Sequence, residues 1–325
     1  MNEADIDLLS LTAKLYYQDN LDQNAIANII GVSRSTVSRL LARARDIGIV
    51  TISINHYAPR NLEVEEALCK YLGLQRAIVV RTFAEGNILN IRRTVGYIAA
   101  QAISEIIPND SVVGTAGGRT IYDLVRYMQP RKTPSSAMVV QLMGNIGPRV
   151  GQIDAIEIAH TLAAKLGGVF YTMSAPVFAH DIQTRDLFLA SPQVQELLRL
   201  FDRLQVALVG IGVLENSAFV ERQILSPENA HELRLKGVVG EICGRFFDID
   251  GSEVDTPYRD QVVGVSLERL IATKEVIAVT NGADRAEAIC AAVRGGIVKG
   301  LVIDETGANA ILEALGQKSL RTELH

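Results

Sequence analysis

The stretch QNAIANIIGVSRSTVSRLL, residues 23–41, sets the architecture of the N-terminal part of the chain. Asp22, just before it, can accept the first amides of a helix, and Ile26, Ala27 and Ile30 then fall on one helical face. Gly31 ends that helix, because a tight turn at this point needs a positive φ. Ser33 is a second N-cap, and Val37, Leu40 and Leu41 form the buried stripe of the next helix. Ala27 is small where the two helices must approach closely, and Val32 is apolar where the turn packs. Upstream, Ile6, Leu9, Ala13 and Tyr16 recur at helical spacing and predict a first amphipathic helix. Two short helices joined by a Gly-containing turn make a helix-turn-helix unit.

The outer face of its second helix carries the groups that DNA requires. Ser33, Arg34, Ser35 and Thr36 occupy its first turn, where residues reach base edges in the major groove. Ser38 and Arg39 follow on the exposed side. Arginine pairs bidentately with guanine, and hydroxyls bond bases or phosphates. Arg43 and Arg45, further along, suit phosphate contacts that set register. The charge distribution agrees: residues 1–30 carry one Lys and five acids, whereas residues 31–60 carry five Arg and one acid. Through residues 23–41 the sequence resembles the bacterial helix-turn-helix regulators. One such unit is a weak reader, so two half-sites and a dimer or higher oligomer are expected. After Gly48 the run IVTISI (49–54) alternates like a strand, as a short wing or an exit strand. NLEVEEALCKYLG (61–73) predicts a linker helix whose Leu62, Val64, Leu68, Tyr71 and Leu72 could pack on a partner chain or on their own.

Composition excludes several alternatives. A length of 325 residues suits two or three domains, and 48% hydrophobic content supports a sizeable core. The net charge of −5 rules out a uniformly basic coat protein, and the absence of Trp argues against a stacking platform for bases. Cys69, Cys243 and Cys290 are too few and too scattered for a disulfide framework or a zinc site. The five His are never three or four residues apart, so no metal pair is visible. The acids of DIDGSEVD (248–255) read as a turn, because Gly251 sits too early for a calcium loop. No signal peptide or membrane span is expected, and the cytoplasm is the expected compartment.

From about residue 76 the period changes. Short β-branched runs at 77–80, 111–115, 137–143, 169–173, 205–211, 275–280 and 300–304 alternate with helical stretches. This predicts an α/β domain over 76–325 with a mostly parallel sheet, following a DNA-binding domain over 1–57 and a linker helix within 58–75. Such sheets bind ligands at the C-terminal ends of their strands. GTAGGRT (114–120) passes from strand into helix, and its backbone amides, with Arg119 and Thr120, suit an anion. It is neither GxGxxG nor a P-loop, and no cofactor is expected. NGADR (281–285) repeats the arrangement. An arginine in a helix's first turn opposes the macrodipole unless an anion, or an acid such as Asp284, compensates. QLMGNIG (141–147) adds the amides of Gln141 and Asn145. Together these loops describe a pocket for a phosphorylated sugar or polyol.

The order of GTAGGRT (114–120), QLMGN (141–145), SAPVF (174–178), LVGIG (208–212), GEICGRFFDIDG (240–251) and ADRAEAICAAVRGG (283–296) resembles the SorC family of bacterial sugar-sensing regulators, over nearly the whole chain. The resemblance implies an effector domain with the fold of sugar-phosphate isomerases. It also implies a tetramer that grips operator DNA until an effector changes the grip. It nominates Gly118, Arg119 and Thr120 as a phosphate loop, with Gln141, Gly144 and Asn145 beside it. It further nominates Glu241 as a carboxylate for sugar hydroxyls, and Arg222, Asn281, Gly282 and Arg285. The family commonly has Lys where Arg285 stands and two glycines where Asn281-Gly282 stands, which leaves a free polyol open as effector. The competing function is an isomerase-like enzyme with a helical appendage. It would need a base beside the substrate carbon, and only Glu241 is nominated.

Overall fold

The computed structural model describes residues 3–52, 58–82, 87–133 and 135–316. The chain divides into two compact units, Met1–Ala58 and Pro59–His325.

The first unit contains α1 (Glu3–Tyr17), α2 (Gln23–Ile30) and α3 (Arg34–Asp46). Asp22 caps α2 by accepting the amides of Asn24 and Ala25 at 2.8 and 2.9 Å. Gly31 ends it at φ 72°, in the left-handed region, and its amide returns to the Ala27 carbonyl. Ser33 then caps α3 by accepting the Thr36 amide. Ile26, Ala27, Val37 and Leu41 form one buried cluster, and Leu9, Ala13 and Ala44 form a second across α1 and α3. A Cβ at Gly31 would meet no atom within 4 Å, so its conformation alone sets the cost of substitution. Gly31→Ala is expected to lower the stability of this unit by about 1 kcal/mol, measured by denaturant melting. No loss would mean that the turn relaxes without strain. The expected strand at 49–54 does not form over 49–52, where the chain folds back through a Val50 amide bond to the Ala44 carbonyl. Residues 53 and 54 lie outside the described residues.

The second unit opens with α4 (Leu62–Leu72), β1 (Arg76–Val80), α5 (Ile88–Ile106), β2 (Val112–Thr115), α6 (Arg119–Tyr127) and β3 (Met138–Gln141). It continues through α7 (Ala155–Leu166), β4 (Val169–Tyr171), α8 (Ile182–Ala190), α9 (Pro192–Phe201), β5 (Leu204–Val209), α10 (Ala218–Glu221) and α11 (Pro227–Leu235). It ends with β6 (Gly240–Ile242), β7 (Arg245–Phe247), α12 (Leu267–Ala272), β8 (Glu275–Val279), α13 (Ala286–Arg294), β9 (Gly300–Asp304) and α14 (Glu305–Ala314). All seven strands expected from the sequence enter one parallel sheet, in the order β1-β9-β8-β5-β2-β3-β4. In β2 and β9 every residue is buried, so both faces of the sheet are covered.

Chain direction through the sheet reverses between β2 and β5. From β2 the chain steps outward to β3 and β4, then returns to β5 and steps the other way to β8 and β9. The crevice at the carboxyl ends of β2 and β5 is therefore the topological switch point of this sheet. α4 packs within this unit, against β1 and α14. Its Val64 and Leu68 are fully buried there, while Leu62 and Tyr71 stay exposed. Among the described residues no helix is long and apolar enough to cross a membrane.

Two features departed from the alternating pattern. GEICGRFF forms the hairpin β6–β7, whose two loop residues, Cys243 and Gly244, have φ of 55° and 80°. That is the combination a tight two-residue hairpin demands. The 248–255 segment is a turn, as expected: Asp248 accepts the amides of Asp250 and Ser252.

Candidate functional site

Short backbone bonds tie the strand-end loops together. The Ala116 amide bonds the Leu208 carbonyl at 3.0 Å, and the Leu142 amide bonds the Thr115 carbonyl at 3.1 Å. The loops after β2, β3 and β5 thus leave the sheet side by side. Gly118 begins α6 at φ 148° and offers no capping side chain. The first-turn amides of α6 keep the unpaired character of a helix start. Arg119 is exposed and pairs with Glu221 of α10. Thr120 is buried, and its hydroxyl donates to Asn281 Oδ1 at 3.1 Å, joining the loops after β2 and β8.

Gly282, at φ 86°, donates its amide to Asp304 Oδ1 at 2.5 Å and so turns the β8 loop. Arg285 closes a single 3-10 turn, Ala283–Arg285, and stands at the N-cap of α13 rather than within its first turn. Its Nε donates to the Ile211 carbonyl at 3.2 Å and its Nη1 to the Asn281 carbonyl at 3.1 Å. Nη1 also reaches Asp284 Oδ1 at 2.8 Å. The unfavourable placement of a cation at a helix start is therefore offset within the chain by Asp284.

Gln141 is corrected by the geometry. It is fully buried, and its amide nitrogen donates to the Met143 carbonyl and to Asn145 Oδ1 at 2.7 and 3.0 Å. Its oxygen accepts from the Thr172 hydroxyl and the Met173 amide at 3.1 and 3.0 Å. All four bonds of that amide are spent inside the protein, so Gln141 positions Asn145 and presents nothing to a ligand. Gly144 is likewise a packing residue: a Cβ there would lie 2.3 Å from the Pro176 carbonyl oxygen. Asn145 remains partly exposed and pairs with the SAPVF segment, its backbone N–H donating to the Ala175 carbonyl at 2.9 Å.

Glu241 sits on β6, bridged to Gly212 after β5 by two backbone bonds of 2.9 and 3.0 Å. Its Oε2 accepts the Gly244 amide at 3.1 Å. It keeps a partly exposed surface but lies deep among protein atoms, and this desolvation raises its carboxyl to about 7. Arg222, just after α10, pairs with buried Asp154 at 2.5 Å and donates to the Ile146 carbonyl at 2.9 Å. Asp154 and Glu221 carry no sequence signature. Their partners lie 68 and 102 positions away, and only folding reveals the pairings.

On the first unit, Arg34, Ser35, Ser38, Arg39, Arg43 and Arg45 are exposed along α3. Ser33 Oγ is engaged as the cap and lies 2.9 Å from Thr36 Oγ1, which in turn accepts Arg39 Nη2 at 3.3 Å. The hydroxyls of Ser33 and Thr36 thus hold Arg39, and both are less available for direct base contact than the sequence suggests.

Residues 57–313 match the Sugar-bind family, described as "Putative sugar-binding domain". The chain is 29% identical to the sorbitol operon regulator of Klebsiella pneumoniae over 320 residues, covering 96% of this chain and 99% of that protein. It is 27% identical to the erythritol catabolism regulatory protein EryD of Brucella abortus, covering 96% of this chain and 98% of that one. The full-length crystal structure of the Klebsiella regulator SorC superposes with a TM-score of 0.76 at 26% identity, covering 96% of this chain and all of that one. These relatives are named as regulators, not as enzymes, which decides against the isomerase. The chain belongs to the Sugar-bind family and is a SorC-type transcriptional regulator.

Proposed function

We propose that α3 reads operator DNA and that a small phosphorylated sugar or polyol binds at the carboxyl ends of β2, β3, β5 and β8 to change that grip. The observation that carries the effector reading is the convergence of Arg119, Arg285 and the open start of α6 on the switch point. Two guanidinium forks and a helix N-terminus suit a phosphate. Asn145 and Glu241 supply an amide and a carboxylate for hydroxyls. Gly118, Thr120, Asn281 and Gly282 shape the loops, and Arg222 braces the floor through Asp154. The names of the sorbitol and erythritol regulators favour a polyol skeleton.

Control requires only that the effector bind the DNA-competent and DNA-poor states unequally. In this reading the chain acts in the cytoplasm as a homo-oligomer, a tetramer by its SorC kinship, so that two α3 helices face one operator.

A thermal-shift panel of sugars and polyols, each free and phosphorylated, tests the effector class. At 100 times its Kd a ligand adds about 2.7 kcal/mol of stability. A hit confined to a phosphorylated compound supports the reading, whereas a hit on the free polyol alone removes phosphate from Arg119 and Arg285. Arg285→Ala is expected to weaken the phosphorylated effector by about 1.5–3 kcal/mol in calorimetric titration. Undiminished affinity would take Arg285 out of the site.

A further inference from the structure

The segment between β5 and α11 touches three of the strand-end loops, each through a charged or amide side chain. Asn216, in the 3-10 turn Leu214–Asn216, donates to Asp284 Oδ2 at 3.1 Å. Glu221, at the end of α10, holds Arg119. Arg222 holds Asp154 and the Ile146 carbonyl. Leu214 and Phe219 anchor the segment in the core. The segment is thus a strap across the switch point, and its acids and those of the β8 loop already neutralise both candidate phosphate cations.

The pairs differ in how readily they exchange. Arg119 and Glu221 are 47% and 50% exposed, and Asp284 is 42% exposed against 20% for its partner Arg285. Asp154 is 5% exposed. Exposed pairs contribute little and are easily replaced, whereas parting a buried pair strands a charge. A phosphate offers a guanidinium two neighbouring acceptor oxygens, as a carboxylate does, with more charge.

We infer that Glu221 and Asp284 are built-in stand-ins for the effector's anionic group: binding takes Arg119 from Glu221 and Arg285 from Asp284, and loosens the strap at Glu221 while the Arg222–Asp154 and Asn216–Asp284 ties hold. The inference rests on the reading that Arg119 and Arg285 receive the effector's phosphate. It makes the strap the element that reports occupancy, because its tie to the loop after β2 breaks when the site fills.

The test uses the full-length chain and inorganic phosphate as probe, titrated by calorimetry at constant ionic strength. The double variant Glu221→Gln/Asp284→Asn is expected to bind phosphate about fivefold more tightly than the wild type. The control Asp202→Asn removes an acid that pairs with Arg269 before the start of β5, at the opposite end of the sheet. It is expected to leave phosphate affinity unchanged. Equal tightening in the control would reduce the effect to bulk charge and overturn the inference. Unchanged affinity in the double variant, with saturable binding to the wild type, would overturn the strap and leave the effector site standing. No saturable phosphate binding in either chain would remove the phosphate reading of Arg119 and Arg285, and the strap with it.

Discussion

Replacing Arg39 with alanine is expected to weaken operator binding by roughly 30-fold to 20,000-fold. One bidentate arginine–base pair is worth about 1–3 kcal/mol, and a symmetric complex loses it twice, for about 2–6 kcal/mol. Arg39 is the side chain best prepared for that contact. It is exposed on α3, and the Thr36 hydroxyl holds its Nη2 at 3.3 Å. Ser33 in turn holds Thr36, so the guanidinium loses less freedom on binding than a solvated arginine would. The measurement is a titration of the full-length variant on an operator selected by the wild-type chain, at matched salt. Arg43→Ala provides the contrast: it should weaken all DNA sequences alike and reduce the salt dependence by about one phosphate contact. Unchanged operator affinity in Arg39→Ala would remove this residue from base recognition. The loss should leave folding intact, because Arg39 is an exposed residue of α3.

Glu241→Gln is expected to flatten the pH dependence of stability in the effector unit. The carboxyl titrates at about 7 in the folded chain, against 4.5 for an ordinary glutamate. Its folded value lies above the unfolded one, so the folded state keeps a proton that the unfolded state releases between those values. The stability from this proton is fully present below pH 4.5 and is lost as pH rises through 7. The shift corresponds to at most about 3 kcal/mol. Glutamine keeps the acceptor for the Gly244 amide and has no proton to lose. The variant should therefore gain Tm over the wild type at pH 8 more than at pH 5. Parallel curves of Tm against pH would show that Glu241 does not titrate in this range. An effector hydroxyl donated to Glu241 favours the ionised form, so effector binding above neutrality should be tighter than below it.

Local chemistry made the first unit readable in one dimension. Asp22, Gly31 and Ser33 act within three or four residues of themselves, through caps and a left-handed turn. The apolar spacing of Ile26, Val37 and Leu41 leaves a single way to bury them. The same holds for inner strands of the sheet such as β2 and β9, which are buried on both faces and so stand out as uninterrupted apolar stretches. α8 was invisible for the converse reason: none of its residues is buried, and it shows no apolar periodicity.

The loops of the site were legible as loops, because Gly118 and Gly282 carry backbone angles that few other residues accept. The duties of their neighbours were not. Gln141 looked like a ligand amide, yet four partners from two segments saturate it. Arg119 and Arg222 stood out as candidate ligand cations, and folding brings Glu221 and Asp154 to them across long stretches of chain. Composition, capping and periodicity are properties of neighbouring residues, so they establish the two domains, the parallel sheet and the position of the strand-end loops. Burial, hydrogen-bond saturation and charge pairing are properties of residues that meet only in space. They decide which side chains are already satisfied within the protein, which ones hold the loops together, and how far Glu241 departs from an ordinary carboxylate.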